Sequence, residues 1–461
     1  MEKKVRRKRK PRIRVSLLER VNPNAAGLDC GSAEHFVAVP VDRDPNPVRS
    51  FKTFTADLHR LADWLVACGV TSVAMEATGV YWIPVYEILQ ARNVEVVLVN
   101  ARHVKNVPGR KSDVNDCEWL MELHSVGLLR GSFRPSAEIV ALRTYVRHRE
   151  TLIQTTTSLT QRMQKAMVQM NLQLRLVVSD IAGVTGQRIL RDIVAGNTDP
   201  QGLARHRDHR CRATEAEIAA ALTGHYRPEQ VFVLKQNLDA FDACQAQIAS
   251  CDVQIHRHMT ELTAKLEPPS TPLPEPRSKV KPRGNVPRFE IREVLHHLTN
   301  ADISQIDGIT PYGGLRLISE IGTDMTRWPS EHHFTAWLTL APRNRVSGGR
   351  LLSSKTQPAA NRAALTLRLA AMSVGRTQTA LGAFYRRLAA RVGKPKAITA
   401  TARKLAILVY RTLKGEITYA DPGAAAYDAG RRRQVLSSLR KRAQFLGFSL
   451  VNQETGELLE G

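Results

Sequence analysis

Apolar positions in the first hundred residues change period several times. "AAGLDCG" reads as a short buried strand ending in Asp29, and "HFVAVPV" (35–41) and "VRSFKTF" (48–54) read as two further strands around the turn-rich "DRDPNP". The period then becomes helical, with Leu58, Leu61, Leu65 and Cys68 recurring in "ADLHRLADWLVACG". "TSVAMEA" predicts a buried strand ending at Glu76, "VYWIPVYEILQARN" a helix and "VEVVLVNA" a strand. A last helix pattern follows "GRKSDVNDC" (109–117).

The order β-β-β-α-β-α-β predicts an α/β domain of RNase H-like type, with three antiparallel strands leading into βα units on one mixed sheet. Functional groups in such sheets gather at strand ends. Asp29 ends the first strand, Glu76 ends the fourth, and Asp113 with Asp116 share a helix face because i and i+3 are neighbours. Four crowded carboxylates repel one another unless cations neutralise them. Hard oxygen donors without His or Cys select Mg²⁺, with Mn²⁺ as second choice. Two such ions roughly 4 Å apart can activate a nucleophile and stabilise a leaving oxygen in phosphoryl transfer. Taken alone, the Asp113/Asp116 pair is more often a charged helix start, where acids are favoured anyway. Its placement after Asp29 and Glu76 reverses that preference. Tyr81 and Trp82 in "MEATGVYW" (75–82) read as packing aromatics.

Beyond "RPS" (134–136) the pattern is helical. Leu152, Thr156, Leu159, Met163, Ala166 and Met170 follow 4-3-4-3-4 spacing, and Leu234, Phe241, Ile248, Ile255 and Leu262 repeat at seven. These predict two arms of a coiled coil, imperfect at Gln245 and Asp252, so the second arm packs on the first or on another chain. "RHRDHRCR" (205–212) holds His, Asp and Cys, but its arginines repel a cation and favour a basic surface patch. "LEPPSTPLPEPRSKVKPRGNVPR" (266–288) predicts an extended, mobile linker. "QIDGITPYGGLRLISEIG" (305–322) resembles a helix-hairpin-helix, whose turn offers N–H groups to a phosphate, or is a plain helix corner. In "FTAWLTLAPRNRVSGGRLLSSKT" (334–356), Ser347 precedes two glycines and lies among Arg343, Arg345 and Arg350, a setting for an accessible hydroxyl beside a phosphodiester. Ser353 and Ser354 are rival candidates. "ALGAFYRRLAARVGKPKAITATARKLAILVYRTLKG" predicts two amphipathic helices broken at Gly393 and Pro395, and "GRRRQVLSSLRKR" a basic tail, helical or disordered.

Charge narrows the partners. The 461 residues carry 67 Lys and Arg against 43 Asp and Glu, a net +24, which favours a polyanion and above all nucleic acid. No apolar run approaches the ~20 residues of a spanning helix, and the basic start has no apolar stretch of a signal peptide behind it. Six cysteines without CxxC pairing fit reduced thiols in a cytosol rather than a disulfide framework or a zinc site.

"GLDCG", "MEATGVYW" and "GRKSDVNDC" together resemble the three motif blocks of the DEDD-type insertion-sequence transposases, the IS-one-ten family, whose N-terminal domain is RuvC-like. "AWLTLAPRNRVSGGR" is similar to the family's C-terminal transposase block. The resemblance implies Mg²⁺ on Asp29, Glu76, Asp113 and Asp116, a serine nucleophile at Ser347, and a covalent phosphoserine link to DNA. It also implies donor and target DNA as substrates, a structured guide (bridge) RNA from the element, a homodimer or homotetramer with composite sites, and a bacterial cytoplasm as the setting, in association with the nucleoid. Lys111, Arg343, Arg345 and Arg350 are the expected nucleic-acid contacts. Cys117 stands where the family usually has Ala, and the stretch after Ser347 lacks the family's usual basic, Gly-containing segment. The expected organisation is a basic tail (1–20), the RuvC-like domain (21–135), a coiled-coil region (136–265), a Pro-rich linker (266–290), a mainly α C-terminal transposase domain (291–420) and a basic tail (421–461). Two other readings stand beside it: a RuvC-like nuclease or junction resolvase without serine chemistry, and a non-catalytic nucleic-acid scaffold.

Overall fold

A computed structural model describes residues 19–77, 79–100, 113–277, 284–358, 361–453 and 456, without the side chains of 113–115. The chain forms two compact units, residues 1–134 and 135–461.

The first unit is built on five strands, β1 (Ala25–Cys30), β2 (Glu34–Ala38), β3 (Val48–Lys52), β4 (Ser72–Glu76) and β5 (Glu95–Val99), in the order β3-β2-β1-β4-β5. β1 runs antiparallel to β2 and parallel to β4, and β4 is parallel to β5. The two central strands are almost continuously apolar because both faces of the sheet are covered. On one face, Leu28, Cys30, Val37, Val73 and Met75 pack under α1 (Thr55–Ala67) and α2 (Trp82–Gln90), which contribute Leu58, Leu61, Leu65, Val85 and Leu89. The other face carries α3 (Asp113–Ser125), which inserts the buried Cys117, Leu120 and Leu123. His124 anchors its end through a 2.9 Å hydrogen bond with Ser72 Oγ. The expected packing role holds for Trp82, edge-on to Tyr86 at 5.7 Å, but not for Tyr81, which is 46% exposed. Tyr81 stands at the start of α2, before the amphipathic face of that helix begins.

In the second unit α4 (Ala137–Gln169) and α8 (Pro228–Thr263) run antiparallel, burying Leu152, Thr156, Leu159 and Met163 against Leu234, Phe241, Ile248 and Ile255. The short helices α5 (Val184–Val194), α6 (Pro200–Ala204) and α7 (Glu215–Leu222) close the distal end of the pair over Ile189, Leu190, Ile218 and Leu222. There the "RHRDHRCR" segment keeps Arg205, His209, Arg210 and Arg212 exposed, as a basic surface patch requires, while two of its side chains are tied down. Arg207 donates to the carbonyls of Ala213 and Cys211 at 2.6 and 2.7 Å, and His206 meets Asp192 at 2.8 Å.

The C-terminal body comprises α9 (Ile291–Thr299), α10 (Pro311–Ile321), α11 (Glu331–Trp337), a hairpin of β6 (Arg345–Ser347) and β7 (Arg350–Ser353), α12 (Arg362–Val374), α13 (Ala380–Val392), α14 (Lys394–Leu413) and α15 (Gly423–Phe445). The break between α13 and α14 falls at Gly393, whose φ of 85° suits a residue without Cβ. The basic tail segment is helical, as α15. Where the composition predicts a mobile linker, the described part is held in place. Ser270 and Asn300 exchange two hydrogen bonds, Gln305 donates to the Glu275 carbonyl at 2.9 Å, and Arg277 pairs with Asp307 at 2.7 Å.

A buried side chain helps to join the helix pair to this body. Arg149 of α4 is completely buried. Its Nε donates to Asp252 of α8, its Nη1 donates to the Asn285 carbonyl at 2.8 Å and to Tyr312 Oη at 3.1 Å, and its guanidinium lies 5.0 Å from the Tyr312 ring. Asp252, which breaks the apolar repeat of the second arm, is therefore satisfied by the first arm. Removing one partner of a buried pair leaves an uncompensated charge, a loss of about 3–5 kcal/mol, whereas replacing both by apolar groups is far milder. Arg149→Met is accordingly expected to lower the urea midpoint of the full chain sharply. Arg149→Met/Asp252→Leu should recover most of that loss, and a double variant no better than the single one would contradict this account.

Candidate active site

The register of the sheet decides where the first two acids lie. Leu28 pairs with Met75 across the parallel β1–β4 ladder, so the next positions, Asp29 and Glu76, are neighbours on strands about 4.8 Å apart. Side chains alternate between faces. Leu28, Cys30, Val73 and Met75 belong to the α1/α2 side, so Asp29 and Glu76 belong to the side covered by α3. Both are partly buried at the C-terminal ends of their strands.

Gly27 sets the height of α3 above them. A Cβ at this position would lie 2.1 Å from the Cys117 carbonyl oxygen and 2.4 Å from the Met121 nitrogen. The helix backbone thus rests directly on β1, two residues before Asp29. An isolated glycine inside a buried strand is the sequence signal for such an approach, and it passes unnoticed if "GLDCG" is read only for its aspartate. The contact brings the first turn of α3 to the acid-bearing ends of β1 and β4. Asp116, partly buried, sits in that turn. Asp113 is the first residue of the helix, its side chain lying outside the described residues, as does the whole of Lys111.

Two buried thiols report the negative field. Burial, reinforced by Asp29 and Glu76, pushes the Cys30 thiol far above its usual range. Burial, with Glu118 and Asp29 adding to it, pushes Cys117 up to about 12. Among the described residues no three His, Cys, Asp or Glu side chains are grouped so as to hold a metal ion by themselves.

Ser347 lies in the second unit on a two-stranded hairpin rather than on an irregular loop. Gly348 and Gly349 form its two-residue turn at φ 53° and 75°, the left-handed values that a type I′ turn demands at both positions. Ser347 pairs with Arg350 across the ladder, so the hydroxyl and the guanidinium share a face. Arg345, two residues before Ser347, lies on that face too, opposite Ser353; a register shift beside Val346 leaves Leu352 as the extra residue. The other face carries Val346 and Leu351, which are 61% and 57% exposed. Every residue from Pro342 to Leu352 is exposed, Arg343 included. Among the described residues no carboxylate or imidazole is hydrogen-bonded to Ser347.

The glycine-bearing turn before α10 is tightly seated. Gly308 (φ 84°) lies so close to α12 that a Cβ would meet Val374 Cγ2 at 2.3 Å. Thr310 caps α10 by accepting from the Gly313 N–H at 3.0 Å. A cleft of about 220 Å³ lies beside this turn, between α10 and α12.

No helix among the described residues is long and apolar enough to cross a membrane. Residues 26–172 match a family model for the DEDD-type transposase domain, described as "Transposase", and residues 300–386 match one described as "Transposase IS116/IS110/IS902 family". Together the matches span just over half of the 461 residues. No curated protein matches the chain. A DEDD-type domain suggests dependence on a divalent metal ion. With the DEDD block over the acid-bearing sheet and the second block over the Ser347 hairpin, in that order on one chain, the protein belongs to the IS110 family of transposases, enzymes that cut and rejoin DNA.

Proposed function

We propose that this transposase breaks and rejoins DNA by transesterification at Ser347, with Asp29, Glu76, Asp113 and Asp116 holding divalent cations, Mg²⁺ before Mn²⁺. The observation that carries the reading is the shared face of Asp29 and Glu76 beneath the first turn of α3. The strand order β3-β2-β1-β4-β5 supports an RNase H-like, RuvC-like identity for the first unit. The donor set suits a hard cation, because Asp29 and Glu76 offer carboxylate oxygens on one face of the sheet. Bound cations would supply Lewis-acid stabilisation of the reacting phosphate oxygens. Ser347 Oγ forms a bond to phosphorus, the bond to a deoxyribose oxygen breaks, and the serine proton passes to a base outside the hairpin. Arg345 and Arg350, on the serine's face, grip the non-bridging oxygens as charge develops. Arg343 and Lys111 add contacts to the DNA backbone.

The same reading includes donor and target DNA, a structured guide RNA transcribed from the element, and a homodimer or homotetramer in which Ser347 completes the acidic site of its own or another protomer. The +24 charge supports a polyanion of either kind. The long α4/α8 pair, packed along its apolar repeats, is taken as an intramolecular coiled coil that spaces the parts. A second reading has one observation in its favour. The acids lie within one unit, while Ser347 has no base of its own in the hairpin, so the first unit could work alone as a RuvC-like nuclease or junction resolvase with water as nucleophile.

Crowded carboxylates without a cation are a source of repulsion, so Asp29→Asn and Glu76→Gln are expected to leave the melting temperature unchanged or raised in EDTA. Millimolar Mg²⁺ should raise the melting temperature of the unaltered chain and have little effect on either variant. An unaltered chain that ignores Mg²⁺ would count against the metal site. For the serine, the chain is incubated with DNA, Mg²⁺ and the element's flanking transcripts, then denatured. A protein–DNA adduct is expected, and Ser347→Ala should abolish it. Cleavage that persists in Ser347→Ala without any adduct in either chain would hand the chemistry to water.

A further inference from the structure

Helix α15 presents an unusual surface: none of its 23 residues is buried. Its first turns rest on α13, where Arg387 Nε donates to Tyr427 Oη at 3.2 Å and the Ala424 N–H reaches the Gln378 carbonyl at 3.1 Å. From Arg431 onward it carries Arg431, Arg432, Arg433, Arg440, Lys441 and Arg442, and no Asp or Glu occurs between residues 429 and 453. Such a run repels itself in the free protein, and a polyanion removes the repulsion. The helix lies beyond the residues that either family model matches.

One face has a composition of its own. Gly430, Arg433, Gln434, Ser437, Ser438 and Lys441 follow helical spacing and form one open face of the helix. The central side chains are small or amide-bearing, so a partner can come close to the helix and still find hydrogen-bonding groups. The cations sit at either end, eight residues apart, which is about 12 Å along the axis. The ~12 Å wide major groove of B-form DNA admits an α-helix lying along it, and cations at both ends of the face can then reach backbone phosphates.

We propose that this face of α15 enters the major groove of duplex DNA, with Arg433 and Lys441 on backbone phosphates at either end of the contact and Gln434, Ser437 and Ser438 toward the base edges. The assignment rests on the DNA-transesterification reading only for the identity of its partner. A-form RNA is a poor fit because its major groove is too deep and narrow for side chains to read. A membrane surface is a poor fit because apolar and basic residues are not segregated onto opposite faces of α15, as an interfacial helix requires.

Anisotropy of the full chain on a labelled DNA duplex of about three helical turns, titrated over a range of salt, tests the assignment. Arg433→Gln/Lys441→Gln is expected to weaken binding about tenfold and to lower the slope of log K against log salt by about 1.8, two phosphate contacts' worth. Arg433→Lys/Lys441→Arg should keep both, and both sites are exposed, so neither pair challenges folding. An unchanged slope, an equal loss on an RNA duplex of the same length, or a loss found only on anionic lipid vesicles would overturn the proposal. So would a change in oligomeric state that accounts for the weaker binding. Adduct formation by the unaltered chain is scored separately. Its failure would sink the serine chemistry and leave the groove result standing on its own.

Discussion

A guanidinium with no exposed surface must find acceptors for its N–H groups, and the second unit is arranged around that requirement. Arg149 draws its partners from three distant segments: Asp252 on α8, the Asn285 carbonyl and the Tyr312 hydroxyl on α10. Its neighbours on α4 extend the same junction. Arg143 donates to the Glu320 carbonyl at 2.7 Å, satisfying the end of α10, and Arg147 grips the Glu320 carboxylate with two 2.7 Å bonds. Glu150 receives Arg316 of α10 and Arg362 of α12. Little more than two turns of α4 thus fix the C-terminal helices on the long helix pair. The Ser347 hairpin is carried by those helices, tied at its base where Pro342 bridges to Thr356.

The first unit answers to a different constraint. Carboxylates are brought together only where the backbone leaves no alternative, because their repulsion opposes the arrangement. Parallel pairing of β1 with β4 sets Asp29 beside Glu76, and the bare Cα of Gly27 lets α3 settle against the strand. The apolar positions Leu120 and Leu123 supply the burial that holds the helix there. The acidic cluster is therefore held by packing elsewhere, as a site needs when its own charges push it apart.

Much of this was legible in the sequence, for identifiable reasons. The succession of elements along the chain followed from changes of period, and all five strands and α1 to α3 appear where the pattern places them. The apolar repeats of α4 and α8 were readable because each is local to one helix. What escaped depended on distant partners. Asp252 looks like a flaw in its repeat until Arg149, 103 residues away, is seen to meet it. The Pro-rich segment looks mobile by composition, yet Asn300, Gln305 and Asp307 hold its described part. "RHRDHRCR" reads as a surface patch and is one at Arg205, Arg210 and Arg212, but the carbonyls that receive Arg207 could not be foreseen. "SGGR" suggests a loop, and only the two left-handed glycines make it a hairpin turn.

The hairpin places opposite demands on its two faces, and this bears on how the proposed chemistry is controlled. One face offers a serine and two arginines, a receptive surface for a phosphodiester but without a base. The other exposes Val346 and Leu351, with Leu352 at the bulge 69% exposed, apolar area that water tolerates poorly. A hydroxyl so placed is no better a nucleophile than any exposed serine. On the proposed reading, reactivity arrives only when DNA and a cation-bearing acidic unit are brought to it, and covering the apolar face favours that assembly. Separating the serine from the acids along the chain then keeps an enzyme that breaks DNA inactive until its substrate has organised it.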